Sequence, residues 1–287
     1  MNIGVRGSKL AIEYAKQVEA KCFNSFHTNL ITIKTDGDIF ENKSIQDIGG
    51  KGVFVSAIEQ QLLDKKIDVA VHSFKDLPAV MDSRLEISAV LKRNDPRDCY
   101  IGTLFPKAKV GTGSPRRIAQ LKTNFNVDFD IQHIRGNIDT RIQKLEQGKY
   151  DAIILAVAGL EALGLQHKIT KIFPFDKMLP CVGQGVIAVQ TRKGSSHSEV
   201  AKLNNHWNTY YSVMAERAML QEIDGDCHTA VGAISTLVGD CINLKAINYN
   251  TGKQFESTSK LLEYKFCLLY TSDAADEGLG VDLGGRR

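Results

Sequence analysis

The sequence predicts an α/β fold divided into three units. Three observations carry this. Strand-like and helix-like segments alternate along the chain. Ile67–Phe74 is a continuous, mostly apolar run, the pattern of a strand buried between helices. Phe54, Ala57, Ile58 and Leu62 recur at the i, i+3, i+4, i+8 spacing of one buried helix face.

The first unit opens with a short strand, Ile3–Val5, and a helix through Leu10–Lys21. A second strand follows at Leu30–Lys34. Gly49-Gly50-Lys51-Gly52 then leads into the helix that carries Phe54, and Ile67–Phe74 is the next strand. The second unit begins near Asp95-Pro96-Arg97-Asp98. Val110–Thr112 is a strand, and Gly113-Ser114-Pro115-Arg116-Arg117 turns into a helix with Ser114 as N-cap and Pro115 at its first position. Asp130–Ile134 is a strand. Asn137 caps the helix carrying Ile138, Ile142 and Leu145, and Gly148 ends it. Asp151–Val157 is a strongly apolar strand before a short helix at Ala158–Leu163. The third unit starts near Trp207 with a helix expected to bury Tyr211, Met214, Ala215, Ala218 and Met219; the turn Asp224-Gly225-Asp226 then precedes Cys227.

The chain has 287 residues, of which 43% are hydrophobic and 24% charged, so an ordinary globular protein with a sizeable core is expected. A net charge of +3 is too small to imply nucleic-acid binding. No apolar run approaches the ~20 residues of a membrane span, and the N-terminus lacks the pattern of a signal peptide. The six cysteines form no CxxC and no metal-ligand spacing, so reduced thiols in a cytoplasmic protein are expected, with no metal.

The cations stand out by position. Arg6, Lys51, Lys75, Arg116, Arg117, Arg135 and Arg141 each lie at a strand end or in a first helical turn. Open α/β sheets bind ligands outside the carboxyl ends of their strands, and helix N-termini attract anions. A cation at a helix start is unfavourable unless an anion joins it, and Arg116, Arg117 and Arg141 all take such places. Any one of them alone reads as a solvated charge; the set reads as an anion site, for phosphate or carboxylate. Gly111-Thr112-Gly113 lacks the third glycine of a dinucleotide fingerprint, and Gly49-Gly50-Lys51-Gly52 lacks the P-loop spacing. Asp76 is a cap or turn acid, an acid/base group or a cation stabiliser, and His72 a packed, hydrogen-bonded residue. Cys227 on its loop is a plain thiol, a nucleophile or an attachment point. Cys22, Cys99, Cys181 and Cys241 read as ordinary small core or half-buried residues.

Eight stretches together resemble the porphobilinogen deaminase (hydroxymethylbilane synthase) family. They are VRGSKLA (5–11), GGKGVF (49–54), IDVAVHSFKDLP (67–78), RNDPRD (93–98), VGTGSPRR (110–117), IRGNIDTRIQKLEQGKYDAIILAVAGLEALGL (134–165), LPCVGQGV (179–186) and AERAMLQEIDGDC (215–227). The resemblance implies a transferase that joins four porphobilinogen units head to tail into hydroxymethylbilane, in tetrapyrrole (haem) biosynthesis, releasing ammonia at each step. Every pyrrole ring brings an acetate and a propionate, which explains the cations. It implies a dipyrromethane cofactor held by a thioether to Cys227, and Asp76 as the catalytic residue that stabilises the electron-poor ring cation left when ammonia departs. Lys75, Ser73, Ser114, Arg116, Arg117, Arg135, Arg141 and Gln184 match positions that hold the cofactor, and Arg6, Ser8, Lys51 and Lys168 positions that hold substrate.

The family pattern further implies three domains, the first two resembling the lobes of type II periplasmic binding proteins and the third a small α+β domain. The expected bounds are 1–93 rejoined by 187–205, 94–186, and 206–266. The expected state is a cytoplasmic monomer, with porphobilinogen as its partner and neither nucleic acid nor membrane. This sequence departs from the family in places. Pro115 stands where leucine is frequent, and Lys168 where arginine is common, which weakens that carboxylate contact. The cysteine loop reads GDCHTAVG (225–232) rather than GGCQVPIG, with Asp226 placed to raise the thiol pKa. The third domain is expected to be incomplete beyond Phe266, leaving an apolar face exposed and stability reduced. Residues 267–287 are expected to be a non-native tail, the alternative being a natural disordered one. Two rival functions are a non-catalytic two-lobed anion-binding module, which needs neither Asp76 nor Cys227, and an inactive truncated deaminase.

Overall fold

The computed structural model describes residues 1–35, 55–226 and 229–261. Lys51, Phe54, Cys227 and the expected tail lie outside them. Two five-stranded sheets are built alike. In the first, β1 (Asn2–Arg6), β2 (Asn29–Ile33) and β3 (Val69–Ser73) are parallel and alternate with α1 (Lys9–Cys22) and α2 (Ser56–Leu63). In the second, β6 (Lys109–Gly111), β7 (Asp130–Gln132) and β8 (Ala152–Ala156) are parallel and alternate with α3 (Pro115–Asn124) and α4 (Ile138–Glu146). A fourth strand runs antiparallel in each sheet: β10 (Ile187–Arg192) beside β3, and β5 (Asp98–Gly102) beside β8. Beyond these antiparallel strands lie the edge strands β4 (Leu85–Val90) and β9 (Lys171–Ile172). The strand orders β2-β1-β3-β10-β4 and β7-β6-β8-β5-β9 therefore correspond position by position.

The apolar strands behave as two-faced strands must. Val69 and Val71 face one core cluster with Tyr14, Val18 and Phe23 of α1, whereas Ala70 faces the other with Ile58 and Leu62 of α2. In the second sheet Ile153 and Leu155 pack with Ile142, and Ile154 packs oppositely with Leu121 and Met178. Burial on both faces explains why these runs carry no alternation.

Each antiparallel strand is entered from the other lobe, through segments 91–97 and 173–186. These crossings are bonded to each other. The Asn94 amide donates to the Gly185 carbonyl at 2.9 Å, Arg93 Nε donates to the Gln184 carbonyl at 2.9 Å, and Gln184 Nε2 donates to the Pro96 carbonyl at 2.7 Å. Glycine permits the contact. Gly185 has φ +84° and a Cβ there would meet Asn94 O at 2.7 Å; Gly183 has φ +69° and a Cβ would meet the Phe74 ring at 2.3 Å.

The third unit is α7 (Trp207–Glu222) against an antiparallel meander of β11 (Val231–Val238), β12 (Cys241–Asn248) and β13 (Gln254–Lys260). Between β10 and α7 lies α6 (Ser196–Leu203). The buried face of α7 differs from the expected one. Thr209, Ser212, Val213, Glu216, Arg217 and Leu220 are buried with Ala215, while Tyr211, Met214, Ala218 and Met219 are half-buried. An apolar-periodicity reading misses this because the centre of the face is a carboxylate. Glu216 is fully buried. It receives Arg93 Nη1 at 2.5 Å and the amides of Gly183 and Ser235, both at 2.8 Å. One carboxylate thus ties both crossings to the third unit. Glu216→Gln, which leaves the Arg93 side chain, 12% exposed, without its counter-charge, should cost about 3–5 kcal/mol in chemical unfolding. A loss under about 1 kcal/mol, the range of an exposed pair, would contradict this.

Candidate functional site

A cavity of about 330 Å³ opens between the two lobes, at the carboxyl ends of β1, β3 and β8. Arg6, Ser8, Ser73, Lys75, Asp76, Arg117, Arg135, Arg141 and Gln184 all line it. Arg6 ends β1, and Ser8 caps α1 by accepting the Ala11 amide at 3.2 Å. Ser73 ends β3, and Lys75 and Asp76 follow in a single 3-10 turn, Phe74–Asp76, pinned by the Phe74 amide on the Val186 carbonyl at 2.9 Å. From the second lobe, Arg135 precedes Gly136, and Arg141 Nε donates to the Gly136 carbonyl at 2.7 Å. Asn137 begins α4 without a side-chain capping bond, a departure from its expected role. Its place beside the cavity leaves the helix start open to a ligand.

The cavity is electropositive. Among the described residues Arg6, Lys9, Lys75, Arg117, Arg135 and Arg141 line it against only Asp76 and Asp139. Asp139 pairs across the mouth with Lys9 at 3.0 Å. Burial, then Arg117 and Arg135, pull the Arg141 guanidinium down to about 10. Burial lowers the Lys75 ammonium too; Asp76 opposes this and Arg117 adds to it. Cations that depress one another in a shared hollow are poised for an anionic ligand. His72 is buried, with Nε2 3.0 Å from Gln190 Oε1, and burial brings it down to about 4, so it is neutral near pH 7. It packs as expected, although its backbone neighbourhood borders the cavity.

The remaining expected site residues lie elsewhere. Ser114 caps α3, with Pro115 in the first turn, and does not line the cavity. Arg116 turns away, donating through Nη1 to Asp98 Oδ2 at 2.7 Å and to the Leu179 carbonyl at 2.6 Å. Arg117 reaches the cavity wall while also gripping Asp98 Oδ1 through Nη2 at 2.7 Å. The anion that this helix start requires is therefore partly the chain's own. Lys168 pairs with Glu146 at 2.9 Å, outside the cavity. Cys22 and Cys99 are buried and Cys181 and Cys241 half-buried, all outside any disulfide. On either side of residues 227–228, Asp226 and Thr229 exchange hydrogen bonds, and both border a smaller hollow with Lys75, Cys181 and Arg217.

The residues suit a dipyrromethane. Its four carboxylates match the cations facing the cavity from both lobes. Gln184 Oε1 is a buried acceptor with no hydrogen-bond partner among the described residues, on the same wall, where a pyrrole N–H would satisfy it. Two residues escaped notice in the sequence: Asp98, which orients Arg116 and Arg117, and Tyr14, which lines the cavity from α1. A signal for Asp98 existed, since a lone acid opening a strand had two arginines to answer.

Residues 1–200 match the family described as "Porphobilinogen deaminase, dipyromethane cofactor binding domain", and residues 210–261 match "Porphobilinogen deaminase, C-terminal domain". A protein of Rickettsia prowazekii named "Porphobilinogen deaminase" is 41% identical over 261 residues, covering 85% of each chain. One of the same name from Syntrophus aciditrophicus is 39% identical over 259 residues, 86% of this chain and 84% of that one. A solved ABC-transporter structure from Parabacteroides distasonis overlays 97% of this chain and 93% of its own, at 12% identity and a TM-score of 0.43.

Proposed function

Because the chain belongs to the porphobilinogen deaminase family, we propose that its inter-lobe cavity condenses porphobilinogen units head to tail into hydroxymethylbilane, with release of ammonia. The observation that carries this reading is Asp76, the single half-buried carboxylate among the described lining residues, set in a wall of cations drawn from both lobes. The dipyrromethane cofactor, when bound, supplies the terminal pyrrole carbon to which new units are added.

This chain's residues do the rest. Arg6, Lys75, Arg117, Arg135 and Arg141 take the acetate and propionate groups, arginine by bidentate contact. Ser8, Ser73 and Gln184 supply neutral hydrogen bonds along the same walls. As ammonia leaves, positive charge grows on the ring nitrogen, and Asp76 offsets it from a fixed position. The same carboxylate takes up the proton released at the pyrrole carbon as the new bond forms. Arg116 acts at one remove, by holding Asp98 against Arg117. Lys51 is assigned to substrate and Cys227 to the thioether. Supporting the latter, the residues flanking Cys227 border a hollow shared with Lys75. A cytoplasmic monomer completes the proposal; among the described residues no helix is long and apolar enough to cross a membrane.

Intact-mass spectrometry tests the covalent part. The protein should carry the mass increment of a dipyrrole, and Cys227→Ser should lose the increment together with turnover. An active protein of unmodified mass would overturn the assignment.

A further inference from the structure

We propose that Tyr14 is a substrate-positioning residue, its phenol O–H donating a hydrogen bond to a carboxylate oxygen of the pyrrole unit seated beside Asp76. The proposal rests on the porphobilinogen reading of the cavity and assigns it a contact outside the charged set.

The placement follows from the register of α1. Ser8 caps the helix, and Leu10, Ala11 and Tyr14 then fall on the stripe that lines the cavity. The Tyr14 ring packs in the core cluster with Val71 of β3, the strand that runs on to Ser73, Lys75 and Asp76. The residue is only 6% exposed and its hydroxyl makes no hydrogen bond to any described residue, yet its oxygen is not one of the fully enclosed unpartnered atoms. A tyrosine with an apolar body and an accessible polar tip offers that tip to whatever fills the adjoining space. Here the ring side is filled by apolar neighbours, so the open direction is the cavity.

The kind of partner follows from proton chemistry. Burial, then Asp76, then Glu161 raise the Tyr14 pKa, so the phenol keeps its proton throughout the working pH range. It is therefore available as a donor. The acceptors drawn into this cationic cavity are carboxylates. An arginine engages a carboxylate through two of about four lone-pair sites, so acceptor capacity remains for a phenol. Unlike another cation, a neutral donor adds this contact without deepening the repulsion that already lowers Arg141.

The test compares wild type with Tyr14→Phe, which removes one oxygen and preserves the ring. The probe is a dicarboxylic pyrrole that lacks the aminomethyl group and so cannot react. Its Kd by calorimetry should weaken about tenfold in the variant, the scale of a hydrogen bond to a charged group. The KM for porphobilinogen should rise similarly while kcat changes less than about twofold, the signature of uniform binding. Melting temperature is measured alongside. An unchanged Kd, with or without a lower melting temperature, overturns the proposal and leaves Tyr14 a packing residue. A fall in kcat with a shifted pH profile also overturns it, pointing to a bond with Asp76 instead. If wild type turns over normally, those outcomes leave the function reading intact. If wild type neither binds the probe nor turns over, the function reading fails, and this proposal with it.

Discussion

Asp76→Asn should lower turnover by roughly 10²–10⁴-fold, the range for loss of a positioned acid/base or of electrostatic stabilisation, while the protein stays folded. The reason lies in the charge balance of the cavity. Among the described residues six cations line it, which suits a growing polycarboxylate but is the wrong surrounding for a ring that turns cationic as ammonia leaves. Asp76 is the carboxylate set to correct this at the reacting centre, because Asp139 is engaged with Lys9 at the mouth. Asparagine has nearly the same shape and no charge. Among the described residues no hydrogen bond depends on the Asp76 side chain, and its 3-10 turn is held by the Phe74 and Leu77 amides instead. The substitution should therefore spare stability, with a melting temperature within a few degrees of wild type. Substrate affinity should hold or improve, because the carboxylates lose a like charge. Near-normal kcat in the variant would remove Asp76 from the reaction. A large drop in melting temperature would instead make it a structural residue.

What could be read in the sequence divides along physical lines. Local order was legible. Val69–Ser73 and Ala152–Ala156 showed as apolar runs because they are covered on both faces, and Ser114-Pro115 showed as a helix start because capping is local. The long-range pairing was not. β5 and β10 are no shorter than the strands beside them, but they reach their places only after crossing between lobes, and no periodicity encodes that the crossings touch at Asn94 and Gly185. The face of α7 was misread for a related reason. Glu216 is buried because Arg93, distant in sequence, comes to meet it. At the site, strand ends and helix starts pointed to cations, of which Arg6, Lys75, Arg117, Arg135 and Arg141 line one cavity. The reading that a helix start bearing arginines needs an anion was sound, but it could not tell a ligand from Asp98. Tyr14 was invisible, since a tyrosine on an apolar helix stripe gives no hint that its oxygen meets a hollow. For Cys227 the residues alone offered attachment only as one reading beside an ordinary loop thiol, and the family motifs raised it above the others.

Asp98→Asn should cost as much stability as Glu216→Gln, about 3–5 kcal/mol by urea unfolding at pH 7, the cost of stranding buried charge. Asp98 is fully buried, and Arg116 and Arg117 both close on it, with Gln184 Nε2 donating from the crossing segment at 2.9 Å. An amide in its place keeps one acceptor but leaves two guanidiniums without their counter-charge. The effect should also depend on pH in a definite sense. Burial alone would raise this carboxyl, but Arg116 and Arg117 outweigh it and hold it well below the usual carboxylate range. A depressed folded-state pKa contributes stability above the unfolded value of about 4 and loses it as pH falls toward the folded value. The gap between wild type and variant should thus be full at neutral pH and shrink only below about pH 4. Activity should fall too, since Arg117 would no longer be held against the cavity wall, and KM should rise more than kcat falls. A gap that stayed constant from pH 7 to pH 3 would show that Asp98 acts by shape rather than charge. The arginines at this helix start would then owe their place to the ligand after all.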